Sequence, residues 1–345
     1  MDLHSSAAID IVEAAYDLEV PGAEWLPNVL SAGGPLLDFG LGAYGALSAG
    51  TTPEGVPRIT QLTSTPGAGE LAMNMMRAGQ EAGNETVAKA SRSVGGKVYS
   101  LTDMEASFPY AVEVIRKHIG YQDLLSLTAI DPDGSGPHIS IASKDRLALD
   151  KRDRLFYQML EVHLAAAHRL RRGLSPDDVE GAPLTEIPMQ GEALVDPKRF
   201  LVAHAVGEAQ AADAAASIRR AARHIDEARG PLRRTDPHEA LSLWQGLVRG
   251  KWTLIDWFDA DGRRFILAKP NAPRIKDPRG LSEREAQVAT YAAAGDSNKL
   301  IGYRLGLSSS YVSKLLHSAM KKLGVKTQAQ LIEKLRGFDE AIPAA

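Results

Sequence analysis

The chain has 345 residues, 44% hydrophobic, 24% charged and 6% aromatic, with a formal net charge of −3. That length holds about two to three domains, each able to bury a core. It has no cysteine, which excludes a disulfide framework and a thiolate metal site. The opening MDLHSSAAID lacks the layout of a secretory signal, and no apolar run approaches the ~18 residues that span a bilayer. A cytoplasmic location without a membrane partner is expected.

Residues 6–30 carry Ile9, Val12, Ala15 and Tyr16 at helical spacing, with breaks expected at Pro21-Gly22 and Pro27. The Gly-rich run LLDFGLGAYGALSAG and residues 56–62 read as strands joined by the turn Thr52-Pro53-Glu54-Gly55. A helical span with Met73, Met75 and Met76 covers 69–92. A short strand at 97–101 and a helix at 109–118 follow. Residues 124–130 and 138–142 form a hairpin across Asp131-Pro132-Asp133-Gly134-Ser135-Gly136. A long helix from about 145 to 172 carries Arg169, Arg171 and Arg172 at its negative end, before Gly173. On it, Leu155, Met159, Val162 and Ala166 make one stripe, beside Phe156, Leu160, Leu164 and Ala167. One stripe can cover the sheet and the other meet a second subunit, against the plainer reading of a helix buried in its own domain. This element order resembles a GAF-type small-molecule sensor, an α+β module on an antiparallel sheet. A GAF-like sensor and dimerisation domain is therefore expected at 1–172.

Pro176, Pro183, Pro188 and Pro197 mark residues 173–200 as a linker, with a short strand at 193–195. An Ala-rich helix is expected over 202–229. Asp236-Pro237 with Glu239 starts another, expected to end at Gly250. Residues 252–258 and 264–268 form a second hairpin across Asp259-Ala260-Asp261-Gly262. Linker and elements together make a small α+β, PAS-like module at 173–270. Its D-x-D-G turn matches the first one, and shared turn chemistry accounts for that more simply than duplication. Pro270, Pro273 and Pro278 then form a stiff connection.

Residues 276–337 carry 11 Lys/Arg and 5 Asp/Glu, close to +6 on a chain that is −3 overall. A basic module on an acidic body is the electrostatic footprint of a nucleic-acid binder. Four short helices are legible. Ser282 and Glu285 form a capping box ahead of Val288, Ala289 and Ala292, and Gly295 stops that helix. Asp296 or Ser297 caps a second helix bearing Ile301 and Leu305, which Gly306 ends. After Leu307-Ser308, Val312, Leu316, Ala319 and Leu323 form one apolar stripe up to Gly324. Thr327 and Gln330 cap a fourth helix with Leu331, Ile332 and Leu335, of which Leu331 and Leu335 offer a second dimer seam.

Two helices joined by a short Gly-containing turn have helix-turn-helix geometry. With the third stripe turned inward, Ser313, Lys314 and His317 face out as base-contacting candidates. Lys299, Ser309, Ser310, Tyr311 and Lys321 lie where phosphates would pass. The segment resembles the DNA-binding domain of LuxR/FixJ-type transcription regulators. Leu281, Arg284, Glu285, Val288, Gly295, Ser297-Asn298-Lys299, Ile301, Leu305, Leu307-Ser308, Val312 and Lys322-Leu323-Gly324-Val325 carry the resemblance. It departs in the third helix, where Ser313 replaces the family's usual Lys and Leu315 its usual His. The resemblance implies double-stranded DNA as partner, a homodimer, and RNA polymerase as a further candidate partner.

Other chemistry is disfavoured. Gly40, Gly42 and Gly45 spell G-x-G-x-x-G, but no acid occupies 60–66, so close packing explains them better than a dinucleotide. Gly95-Gly96-Lys97 lacks the rest of a phosphate loop. Asp131 and Asp133 lack the later ligands of a calcium loop. His163 and His168 diverge around one helix and cannot share a metal. Trp244, Trp252 and Trp257 read as core. No Asp lies between residues 39 and 102, which disfavours a phospho-receiver, and the acyl-homoserine-lactone pocket pattern is missing. No catalytic set, metal or cofactor is expected. The expected function is a sequence-specific transcriptional regulator controlled by a signal, such as a small-molecule effector, sensed N-terminally. The alternative is a sigma-like or adaptor protein docking on the transcription machinery.

Overall fold

The computed structural model describes residues 6–94, 97–131, 134–173, 191–244, 246–248, 251–258, 261–270 and 281–339. They fall into two compact units, one drawn from Met1–Ile187 and His224–Trp244, the other from Pro188–Arg223 and Gln245–Ala345.

The first unit opens with helices α1 (Ala7–Tyr16) and α2 (Gly22–Gly33). Pro27 sits inside α2 and does not break it. The carbonyl of Ala23, which a proline at this position cannot engage, accepts instead from Gln61 Nε2 at 2.6 Å. Five antiparallel strands follow: β1 (Ala43–Thr51), β2 (Pro57–Ser64), β3 (Val98–Ser100), β4 (Asp123–Thr128) and β5 (Ser135–Ser143), in the order β2-β1-β5-β4-β3. The helical span expected at 69–92 is two helices, α3 (Leu71–Ala82) and α4 (Asn84–Val94), parted by Gly83 at φ 82°. Helices α5 (Leu101–Met104) and α6 (Pro109–Ile119) separate β3 from β4. The exit helix α7 (Lys151–Gly173) begins later than expected, where Asp150 accepts from the Asp153 amide at 2.8 Å.

Alternation along the strands assigns the two faces of this sheet. Tyr44, Ala46, Leu124 and Ala142 pack with Leu71, Ala72, Val94, Leu101, Met104 and Val112 of α3–α6. Gly45 points the other way, where an added Cβ would stand 3.0 Å from Leu26 of α2. That close approach is the role of the third glycine in the G-x-G-x-x-G run. Gly40 and Gly42, at φ 88° and 74°, both donate to Asp38 Oδ1 in a tight turn. The helix-covered face also carries a buried polar row. Ser126 and Ser140 hydroxyls lie 2.7 Å apart, and His138 bridges Thr128 and Ser140 at 3.1 and 2.8 Å. Burial pushes the His138 pKa down to about 4, so the imidazole in this row is neutral at physiological pH.

The expected dimer stripe on α7 is inside its own unit. Met159, Val162 and Ala166 are buried and Leu155 half-buried. Helix α7 packs on β3–β5, α1 and the segment 224–244, which returns to this unit. Phe156 meets His238 at a ring separation of 4.5 Å, and His163 lies 3.4 Å from the Tyr16 hydroxyl. Arg229 pairs with Glu13 at 2.9 Å, and Arg233 with Asp10. The plainer reading of α7, a helix buried on both sides, is the structure.

In the second unit the strands are β6 (Ala193–Asp196), β7 (Leu201–Ala205), β8 (Leu247–Val248), β9 (Trp252–Phe258) and β10 (Arg264–Pro270), in the order β7-β6-β10-β9-β8. Residues 202–205, expected as the start of the Ala-rich helix, lie in β7 instead. Gly207 at φ 56° ends the run, and the helix α8 spans Ala212–Arg229. After α9 (Leu232–Thr235), α10 (Pro237–Leu243) starts at the expected Asp236 cap. It stops well short of Gly250, because Trp244 takes an extended conformation. Counted from its own first strand, each sheet has the same order: second, first, fifth, fourth, third. The two D-x-D-G turns join the fourth strand to the fifth in both. The repetition therefore covers the whole strand topology, beyond the shared turn chemistry expected from sequence.

Candidate nucleic-acid interface

Four helices follow residue 280: α11 (Glu283–Ala293), α12 (Asn298–Leu305), α13 (Ser309–Leu323) and α14 (Gln328–Asp339). Their boundaries follow the caps in the sequence. Ser282 and Glu285 complete a capping box, Ser297 accepts from the Leu300 amide at 3.2 Å, and Ser308 from the Tyr311 amide at 3.3 Å. Thr327 and Gln330 exchange bonds at 3.3 and 3.2 Å. Gly306 and Gly324, at φ 63° and 67°, close α12 and α13 in the left-handed conformation that glycine adopts without penalty.

The core consists of Leu281, Ala286, Val288, Ala289, Ala292, Ile301, Leu305, Val312, Ala319, Leu323 and Leu331, with Leu316 and Leu335 partly buried against it. Leu331 and Leu335 therefore serve this core, and the second expected dimer seam is also covered within the chain. With Val312, Ala319 and Leu323 inward, Ser313, Lys314, His317 and Lys321 are exposed, as are Lys299, Ser309 and Ser310. Tyr311 is 47% exposed, unusual for a side chain so apolar. All eight expected contact residues thus lie on the surface, seven of them on α13 and Lys299 on α12.

Three tertiary contacts were not legible in the sequence. Gly302 lies where the turn folds back on α12. Its carbonyl accepts from the Leu307 amide at 2.8 Å, and an added Cβ would stand 2.6 Å from the Leu307 carbonyl oxygen. Both atoms belong to backbone, so Gly302→Ala is expected to cost about 1–3 kcal/mol by forcing the turn apart. Slower-exchanging amides of α12 and α13 losing protection in hydrogen exchange would register it.

Asp296 and Arg304 form a buried ion pair at 2.7 Å, with side chains 7% and 6% exposed, and Arg304 lies 5.1 Å from the Tyr291 ring centre. Glu285 does more than cap α11. It accepts from Ser318 and from Lys322, each at 2.6 Å, and so ties the start of α11 to the far half of α13. Burial alone would raise its pKa, but donation from Lys322, Ser318 and Ser282 outweighs that and holds it at about 2. These pairs also change the charge count. Arg304 is committed inside the domain and the 44% exposed Lys322 is paired with Glu285, which leaves Lys299, Lys314, Lys321 and Lys326 as exposed cations outside these pairs in its described part.

Elsewhere the expected negatives have structural occupants. Asp131 receives Arg169 at 3.0 Å, and Asp133 lies outside the described residues. Gly95 and Gly96 also lie outside them. Trp244 and Trp252 are buried, and Trp252 donates to Glu192 at 2.6 Å. Among the described residues no helix is long and apolar enough to cross a membrane.

Residues 279–335 match the family described as bacterial regulatory proteins, luxR family. The chain is also 43% identical over 56 residues to "Putative HTH-type transcriptional regulator YhjB" of Escherichia coli (strain K12). That match covers 16% of this chain and 28% of the relative, so the chain shares only a short part of that protein's length. Capped helices, glycine stops, outward cations and both matches agree on one statement: residues 279–335 are a LuxR-family helix-turn-helix domain.

Proposed function

We propose that the chain is a sequence-specific transcriptional regulator in which α13 enters the major groove of double-stranded DNA. The observation that carries this is the rotation of α13. Its buried stripe leaves Ser313, Lys314 and His317 near the N-terminal half of the helix, free to reach base edges. Lys299, Lys321, Tyr311 and the start of α13 at Ser309 and Ser310 flank them as phosphate contacts. Ser313 and Leu315 depart from the usual family residues, so half-site preferences belong to this chain alone. One such domain reads one half-site, and a homodimer on a two-fold operator supplies useful affinity. The dimer contact lies outside Met159, Val162, Ala166 and Leu331, which are buried within the chain. The two α+β units N-terminal to the reader are the sensing part, GAF-like and PAS-like in element order, and take a small-molecule effector. RNA polymerase is the downstream partner.

Salt titrations of two variants test the reading. Lys314→Ala is expected to cost about 1–3 kcal/mol on the cognate duplex and to relax preference at one base position. Lys321→Ala is expected to weaken all duplexes alike and to reduce the magnitude of the salt slope by about one. Equal losses for Lys314→Ala on cognate and scrambled duplex would make it a phosphate contact and overturn this rotation of α13.

A further inference from the structure

The second α+β unit gathers exposed cations where the chain as a whole is acidic. On α8 the buried stripe is Ala214, Ile218, Ala221, Ala222 and Ile225, and Arg219, Arg220 and Arg223 stand exposed on the opposite side. Successive helical residues turn by about 100°, so these three share one arc. The turn between β6 and β7 adds exposed Lys198 and Arg199. Turn and helix meet at Phe200, whose ring lies 5.3 Å from the Arg223 guanidinium carbon. Phe200 is the one non-glycine residue with positive φ, 51°, among the described residues. A conformation so disfavoured for an aromatic residue is held only where its surroundings require it. None of the five cations has a carboxylate partner among the described residues. Asp196, the nearest acid in the turn, already accepts from the Lys198 amide at 2.8 Å. Glu227, one turn beyond Arg223, falls within the same arc of α8, and Asp213 and Asp226 border it, so three acids temper the patch.

We propose that this face of α8 and the β6–β7 turn is a second DNA contact, holding the phosphate backbone beside the site read by α13. The inference rests on the DNA-binding reading above. Guanidinium forks match phosphate oxygens in geometry as well as charge. Reach permits the contact, because the eleven residue steps from Pro270 to Leu281 extend at most about 40 Å, roughly one turn of duplex. The occupant is the same polyanion that the reader engages. The patch reads no sequence and enlarges the footprint.

The full-length chain would be titrated with salt on two mixed-sequence duplexes, of about 12 and about 40 base pairs, roughly one and four turns. Each phosphate contact contributes about 0.9 to the salt slope. Replacing Arg219, Arg220 and Arg223 together by Ala is expected to lower the slope magnitude by about 2–3 per protomer on the long duplex and to leave the short one unchanged. Lys321→Ala, in contrast, lowers both by about one. Wild-type binding with an unchanged triple variant on the long duplex overturns the second contact and leaves the reader intact. Equal losses on both duplexes overturn its flanking position. Absence of wild-type binding to either duplex overturns the DNA-binding reading itself, and the second contact with it. Circular dichroism of the triple variant, with its changes confined to exposed positions, shows that the fold is retained.

Discussion

Replacing Asp296 by Ala is expected to cost the reader domain about 3–5 kcal/mol, more than either lysine substitution on its DNA face costs in binding. Arg304 is 6% exposed, and the substitution removes the carboxylate that balances its buried charge. Cation–ring contact with Tyr291 at 5.1 Å offsets only part, since such contacts contribute about 1–2 kcal/mol. The pair's position makes the loss spread. Asp296 precedes the cap of α12 and Arg304 lies in its last turn, so both ends of α12 loosen together. Hydrogen exchange of α12 and α13 amides in the full chain would measure the loss, and DNA affinity should fall with it. The control is Asp296→Ala combined with Arg304→Met. Exchanging a buried pair for apolar side chains is often close to neutral, so the double variant should regain most of the loss. A double variant as weak as the single one would mean that the aspartate acts through the backbone alone.

The parts of this protein that the sequence disclosed are those fixed by neighbours along the chain. The reader is the clearest case. Ser282, Ser297, Ser308 and Thr327 cap helices that Gly306 and Gly324 help to close, and each signal acts within a few residues. The hairpins at 123–143 and 252–270 were legible for the same reason, since their turns carry Asp and Gly at the required positions. What failed depended on distant partners. Pro27 stays inside α2 because Gln61, from β2, takes the carbonyl it leaves idle. The α7 stripe looked free because nothing local shows that α1 and the segment 224–244 cover it. Residues 202–205 read as helix because Val and Ala fit either state, and pairing with β6 decides between them. The exposed face of α13, where the candidate contact residues lie, follows from helix rotation, which periodicity gives. Gly302, Asp296 and the second role of Glu285 follow from what those residues meet in the fold, which periodicity does not give.

The reader should also lose stability in acid through one carboxylate, Glu285. Its pKa of about 2 lies below the ~4.3 of an unfolded glutamate. A depressed carboxylate favours the folded state above the unfolded value, and that contribution is lost as pH falls toward the folded value. The window therefore runs from about pH 4.5 down to about pH 2. Other carboxylates in the chain also take up protons in acid, so the wild-type curve alone would not isolate the effect. Glu285→Gln keeps the shape of the side chain and removes the charge. Near neutral pH it is expected to cost about 3 kcal/mol, because hydrogen bonds to a charged group contribute about 1.5–3 each and two or more are weakened together. The Lys322 contact adds little to this, since that side chain is 44% exposed and solvent screens it. The difference between wild type and variant should stay constant above about pH 4.5 and close as pH approaches 2. Protection of α11 and α13 amides against hydrogen exchange, compared between the two proteins at each pH, measures that difference. A gap that persists unchanged to pH 2 would mean that shape at this position matters and charge does not. A gap that closes places the depressed carboxylate at the joint between the capping box of α11 and the far half of α13.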